Sequence, residues 1–275
     1  MSKSISRRSF LALMGSSAAV LGLGLVGCGS GSGNSASTGS AESAAASGSG
    51  KKYIIATDTT FAPFEFTDSS NNFVGIDVDL LAAIAEETGF QYDLQPLGFD
   101  AAVAALESNQ ADGVIAGMSI TDERKKKYDF SDPYYESYVC AAAKDGGDVK
   151  SLDDLKGKTV AAKTGTQSAE WAESIKDQYG FTITYFDTSD LMYQDVQTGN
   201  SACCFEDSPV MQYGITQGNG FTIIGEDKDK FASPYGFAVM KGKNAELLEG
   251  FNKGLKSLKD SGKYDEIVNK YLKKA

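Results

Sequence analysis

"YIIATDTTFAPFEFTDSSNNFVGIDVDLLAAIAEETGFQYDLQPL", residues 53–97, decides the fold. The short β-branched run 53–57 reads as a strand, the run 77–89 closed by Gly89 reads as a helix, and 92–97 reads as the next strand. Strand, helix and strand in that order predict an α/β architecture built on a mainly parallel sheet. The alternation continues with a helix over 100–110 ("DAAVAALESNQ") and a strand over 113–117 ("GVIAG"). After "DFSDPYYES" (129–137) a second series begins, with strands at 138–143 and 159–165, a helix over 168–179, a strand at 181–186, a helix over 189–198 and a strand at 202–207. The passages "LESNQADGVIAG" and "VQTGNSACCFED" parallel one another, each with Asn two places before Ala, so the same architecture occurs twice. A strand at 235–242 and helices over 244–261 and 264–272 follow, and two lobes joined by more than one crossing of the chain accommodate them all.

Upstream of this pattern the chain is of another kind. Residues 1–27 combine a basic start (Lys3, Arg7, Arg8), an apolar run shorter than a membrane span and small residues before Cys28, which is an export signal. Ser6 to Leu11 resembles a twin-arginine signal, and Leu25-Val26-Gly27-Cys28 resembles a bacterial lipobox, which makes Cys28 the expected lipidation site. Gly22 to Gly27 matches G-x-G-x-x-G but lacks the flanking strand and helix of a dinucleotide site. Residues 29–50 are almost wholly Gly, Ser and Ala, a flexible tether reaching about 25 Å as a random coil. The expected product is extracytoplasmic and lipid-anchored to the bacterial cell membrane.

Composition narrows the function. A length of 275 residues with 41% hydrophobic and 23% charged residues suits two modest cores. Loss of residues 1–27 removes three cations and no acid, lowering the formal net charge from −11 to −14, which disfavours nucleic acid as a partner. The chain has no histidine, so a Ser-His-Asp hydrolase is excluded and the commonest zinc ligand is missing. No metal and no cofactor is expected. Cys140, Cys203 and Cys204 remain after export; buried thiols are expected, with a bridge from Cys140 to one of the others as the alternative.

In open α/β sheets the ligand crevice lies beyond the carboxyl ends of the strands. That rule selects Asp58, Phe99, Gly117, Ser119, residues 163–167, Glu206 and Asp207, drawn from both series. Arg124 stands in the first turn of what reads as a helix after "SITDE", where the macrodipole disfavours a cation; a solvated position or a pair with Asp122 or Glu123 would also account for it. With Arg124 and Lys163 to hold an anion, Asp58, Glu206 and Asp207 to hold a cation, and Phe61 and Phe99 as aromatic surfaces, the implied ligand is a zwitterion with a side chain. Phe64, Phe66 and Trp171 read as core, and Lys125 to Lys127 as a solvated face.

Residues 51–272 resemble the family 3 solute-binding proteins of polar amino acid ABC importers, especially glutamine-binding members. "ATDTTFAPFEF", "GIDVDLLAAIA", "GMSITDERKKKYDFSDPYY", "AAKTGT" and "SGKYDEIVNKYL" carry the resemblance, in the family's order. It implies a two-lobed periplasmic-binding-protein-like fold of type II, with lobe 1 at 51–134 and 236–275, lobe 2 at 135–235, and a paired-strand hinge near 134–138 and 231–235. It also implies that Arg124 grips the ligand α-carboxylate. Ser119 and the Gly117 backbone would bind the same carboxylate or the α-ammonium, Thr166 would add a contact, and Asp207 would take the α-ammonium. Phe61 and Phe99 would wall the ligand side chain, against ordinary core packing. Asp58 and Lys163 would contact a side-chain amide, against a mutual surface ion pair. Glu206 and Gln167 depart from the glutamine-binding pattern, where histidine and glycine stand. A monomer that captures a polar amino acid, glutamine first, and delivers it to an ABC permease is the expectation. An exported dehydratase on the same fold, or a ligand-binding partner of a membrane sensor, are the alternatives.

Overall fold

The computed structural model describes residues 51–272; the 1–27 export signal, Cys28 and the 29–50 tether lie outside the described residues. In chain order the first part holds β1 (Lys52–Thr57), a hairpin of β2 (Phe66–Thr67) and β3 (Phe73–Val74), α1 (Ile76–Thr88), β4 (Gln91–Pro96), α2 (Phe99–Glu107), β5 (Gly113–Val114) and β6 (Tyr128–Phe130). Next come β7 (Val139–Lys144), β8 (Thr159–Lys163), α3 (Gln167–Tyr179), β9 (Thr182–Phe186), α4 (Ser189–Gln197), β10 (Cys203–Asp207), α5 (Ser208–Thr216) and β11 (Phe221–Asp227). The chain then returns as β12 (Ala238–Met240) and ends in α6 (Ala245–Ser261) and α7 (Lys263–Leu272).

Two five-stranded sheets result, ordered β4-β1-β5-β12-β6 in lobe 1 and β11-β7-β10-β8-β9 in lobe 2. In each sheet four strands run one way and one runs against them, so the mainly parallel expectation holds with one exception per sheet. β1 runs parallel to β4 and β5, but β12 is antiparallel to both β5 and β6. Likewise β8 runs parallel to β9 and β10, while β7 is antiparallel to β10 and β11. The antiparallel strands, β7 and β12, are those by which the chain enters lobe 2 and returns to lobe 1, and a short apolar run holds no information on its direction.

Local chemistry explains the helices. α1 carries Asp77 and Asp79 in its first turn and stops at Gly89, which adopts the left-handed conformation and returns its N–H to the Ala85 carbonyl. Ile76, Leu80, Leu81 and Ile84 form its buried stripe and meet Leu247, Phe251, Leu255 and Leu258 of α6 in the lobe 1 core. Thr166 and Thr188 cap α3 and α4 by accepting the N–H of Ala169 and Leu191. In lobe 2 a run of alanines, Ala141 to Ala143 and Ala161 to Ala162, lets the helices settle close on the sheet.

Two crossings join the lobes, where residues 134–137 lie antiparallel to 233–235. Tyr134 N–H donates to Tyr235 O (2.9 Å), Tyr235 N–H to Tyr135 O (2.7 Å) and Ser233 N–H to Ser137 O (2.9 Å). The pairing is one isolated bridge, Tyr135 to Tyr235, rather than two full strands.

Two further expectations change. The helix expected at Arg124 is one 3-10 turn, Arg124–Lys126, because β6 begins two residues later. Phe66 is half-buried rather than core, its ring against Tyr213 and Tyr271. β6, α5 and β11 were not legible as separate elements. Trp171 and Phe64 are buried as expected, and Lys125 and Lys127 lie exposed against Asp122 and Glu107. Cys140, Cys203 and Cys204 are free and buried, and burial raises all three thiol pKa values, which makes them inert.

Candidate functional site

The ends of β1, β5, β8 and β10 and the start of α2 converge on one pocket between the lobes. It is lined by Asp58, Phe61, Phe99, Ala116, Gly117, Ser119 and Arg124 from lobe 1 and by Lys163, Thr166, Gln167 and Asp207 from lobe 2, which leave about 10 Å³ of cavity between them. That is room for about one water molecule, so these side chains stand nearly in contact across the cleft. Contacts span the lobes around it: Arg124 to the Gly165 carbonyl, Lys163 to Asp58, and the Ser189 N–H to Thr60 Oγ1.

Arg124 reaches the pocket because the 3-10 turn projects it back across Phe99, whose ring centroid is 5.4 Å from Cζ. Its Nη1 donates to Ser119 O and its Nη2 to Gly165 O, both at 3.0 Å. Among the described residues no carboxylate comes within 4.0 Å of the guanidinium, so Asp122 and Glu123 are not its partners. Burial lowers the Arg124 pKa, with Glu170 and Asp207 acting in the opposite direction. A desolvated cation bonded only to carbonyl oxygens is a site for an anion.

Asp207 lies across the pocket and accepts from Ser168 Oγ and from Tyr235 OH (2.7 Å). Burial raises its pKa, and the hydroxyl donors and the Arg124 and Lys163 cations oppose the rise. At the other end Lys163 pairs with Asp58, each side chain 1% exposed, and Lys163 Nζ stands 5.0 Å from the Phe61 ring centroid. The pair is buried and bridges the lobes, which corrects the surface pairing offered above. Phe61 and Phe99 line the pocket, as the aromatic-wall expectation requires.

Gly117 has φ +52°, and a Cβ there would lie 2.4 Å from a Phe61 ring carbon, so only glycine lets this backbone approach the aromatic wall. Its N–H donates to Asp77 Oδ2 (2.8 Å), which also accepts from Tyr134 OH (2.8 Å). Asp77 thus ties the pocket loop to the crossing. Glu65, fully buried beside it, is pushed well above the usual carboxyl range by burial and by the Asp77 carboxylate; Asp77 is pushed up to about 6 by burial.

Two expected contacts sit differently. Thr166 Oγ1 donates to Lys163 O (2.8 Å) while capping α3, so its hydroxyl proton is already committed. Gln167 Nε2 donates to Ser233 Oγ (2.7 Å), holding the side chain to the crossing segment. Glu206 does not line the pocket at all. Side chains alternate along β10, so with Asp207 facing the pocket Glu206 must turn away. It lies behind Lys163, accepting from Ser189 Oγ (3.0 Å), Tyr193 OH (2.8 Å) and the Asp207 N–H (2.9 Å), and burial pushes its pKa up to about 7. Ser168, Ser189, Tyr193 and Tyr235 carried no signal in the sequence, since a lone hydroxyl reads the same in a loop or a cap.

The buried acids make stability depend on pH. A carboxyl whose pKa is raised in the folded state stays protonated where the unfolded chain has released its proton, so stability falls as pH rises through that window. For Asp77 and Glu206 the window runs from about 4 to 7. Exposed acids with lowered values, such as Asp68 and Asp154, act below it. The thermal midpoint is expected to be lower at pH 8 than at pH 5.5; scanning calorimetry giving equal midpoints would reject this account.

Residues 53–274 match the model for bacterial extracellular solute-binding proteins, family 3. The arginine-binding extracellular protein ArtP of Bacillus subtilis (strain 168) is 36% identical over 228 residues, 81% of this chain and 86% of the relative. An ancestral arginine-binding protein solved with arginine is 40% identical with a TM-score of 0.73, covering 80% of this chain and 98% of that one. A structure described as an ancestral arginine-binding protein bound to glutamine is 38% identical with a TM-score of 0.73, covering 81% and 98%. The chain belongs to the family 3 bacterial extracellular solute-binding proteins and has their two-lobed α/β periplasmic-binding-protein fold. It is a transport component and not an enzyme, which removes the dehydratase alternative.

Proposed function

We propose that this solute-binding protein captures one polar amino acid between its lobes and delivers it to an ABC permease, held at the membrane through a lipid on Cys28. The observation that carries the proposal is Arg124, bonded to carbonyl oxygens alone, lining one pocket between the lobes together with Asp207. Arg124 takes the α-carboxylate with Ser119 and the Gly117 loop, and Asp207 takes the α-ammonium. Water excluded by closure strengthens both contacts.

The side chain then meets the Asp58–Lys163 pair, between Phe61 and Phe99. The pair has an acceptor, a donor and no net charge. A carboxamide matches it, donating to Asp58 and accepting from Lys163, so glutamine is the ligand we assign. Arginine is the second reading, favoured by the binding activity named for the Bacillus subtilis relative and for the ancestral protein. The glutamine-bound ancestral structure supports placing both side chains within reach of one scaffold.

Calorimetry with the twenty amino acids decides between them, since glutamine binding tightest is the expected result and arginine binding tightest removes the assignment. Lys163→Met removes a donor from the carboxamide and a positive charge from the path of a guanidinium. It should weaken glutamine and shift the glutamine-to-arginine affinity ratio at least tenfold toward arginine. An unchanged ratio would take Lys163 out of ligand selection.

A further inference from the structure

We infer that Glu206, buried behind the pocket, determines whether the side-chain end holds a neutral or a cationic ligand, acting through Ser189 on Lys163. The inference rests on the amino-acid-binding function proposed above and deepens it. Ser189 has one hydroxyl proton and gives it to Glu206 Oε2 at 3.0 Å, so the lone pairs of its oxygen face Lys163 Nζ, 3.4 Å away. With Glu206 ionised, the order Lys163, Ser189, Glu206 is a relay in which each group donates to the next. All three side chains are buried. With Asp58 on the opposite side, the Lys163 ammonium lies between a carboxylate it touches and a second one it reaches through a hydroxyl.

The charge at this end of the pocket therefore depends on Glu206. When Glu206 is protonated, Asp58 and Lys163 cancel and the end suits a neutral carboxamide. When it is ionised, the end carries one net negative charge and tolerates a guanidinium or an ammonium. Three donors, Ser189 Oγ, Tyr193 OH and the Asp207 N–H, are in place to hold the ionised form. The titratable and charged groups around it are Lys163 on β8, Tyr193 on α4, Cys140 on β7, Cys204 and Asp207 on β10, and Tyr235 of the crossing. Burial and the Asp207 carboxylate favour protonation while Lys163 favours ionisation, which leaves the balance near neutral pH.

The test is the ratio of glutamine to arginine affinity measured by calorimetry from pH 5.5 to 8.5. The α-carboxylate, the α-ammonium and their partners Arg124 and Asp207 are common to both ligands and cancel in the ratio. In the wild type the ratio should fall about tenfold as pH rises. Glu206→Gln should hold it at its acidic value at every pH. Ser189→Ala should flatten the slope and Ser189→Thr restore it, which a merely structural role for the serine would not do. A wild-type ratio independent of pH overturns the inference, and so does a Glu206→Gln slope equal to the wild type or glutamine binding with no arginine binding at any pH. If neither amino acid binds, the proposed function fails, and the inference falls with it. The wild-type profile decides even where a variant does not fold.

Discussion

Arg124→Ala is expected to weaken amino-acid binding a hundredfold or more. The substitution leaves the ligand carboxylate in a closed, water-poor pocket with no cation, and breaking one side of a buried charge pair costs about 3 to 5 kcal/mol. It also removes the bonds from Nη1 to Ser119 and from Nη2 to Gly165, which tie lobe 1 to lobe 2 at the pocket wall. Arg124→Lys separates the two contributions, since it keeps a charge but loses the planar fork, and an intermediate loss is expected. The fold should be unaffected, because no carboxylate among the described residues lies within 4.0 Å of this guanidinium. Calorimetry showing less than a tenfold change for Arg124→Ala, with the unfolding midpoint intact, would remove Arg124 from the ligand site.

The largest effect on stability is expected from Gly75→Ala, at the entrance to α1. Gly75 has φ +147° and ψ 173°, a conformation open almost only to glycine, and a Cβ there would lie 1.9 Å from the backbone carbonyl oxygen of Phe64. That oxygen cannot swing aside, because it accepts the Asp77 N–H at 2.9 Å and Pro63 O accepts the Ile76 N–H at 2.9 Å. Backbone strain and forced repacking each cost about 1 to 3 kcal/mol, so a loss of about 4 kcal/mol is expected. In a domain of this size that is a fall of about 10 °C in melting temperature. Gly89→Ala is the control, since its φ is also positive but nothing lies within 4 Å of its Cβ. Equal losses at the two glycines would show that φ alone, and not the contact with Phe64, governs the effect.

The elements legible in the sequence were those with a strong period or a clear stop: α1 with its Gly89, α3 and α4 behind capping threonines, and the β-branched β1. The site was legible through the rule that strands deliver their following residues to one crevice, and ten of the eleven residues proposed for the ligand line a single pocket. What escaped was set by contacts distant in sequence. Strand direction followed from the crossings, which no local pattern reports. Glu206 was misplaced although alternation along a strand was enough to turn it away from Asp207. Asp77 and Ser189 could not be found at all, since the groups that give them meaning, Tyr134, Gly117, Lys163 and Glu206, come together only in the fold.

Trp171 is the only tryptophan in the chain. It is 3% exposed, with its ring 5.0 Å from that of Phe205 in the core of lobe 2, and it takes no part in the pocket. Its fluorescence is therefore a gauge of one lobe. Filling the pocket should leave the emission spectrum almost unchanged, so a dye-free titration would report nothing even at saturation. Denaturation is where this indole becomes informative. Its red shift dates the loss of lobe 2, while far-ultraviolet dichroism follows both lobes, and any gap between the two curves measures how far one half of the molecule outlives the other.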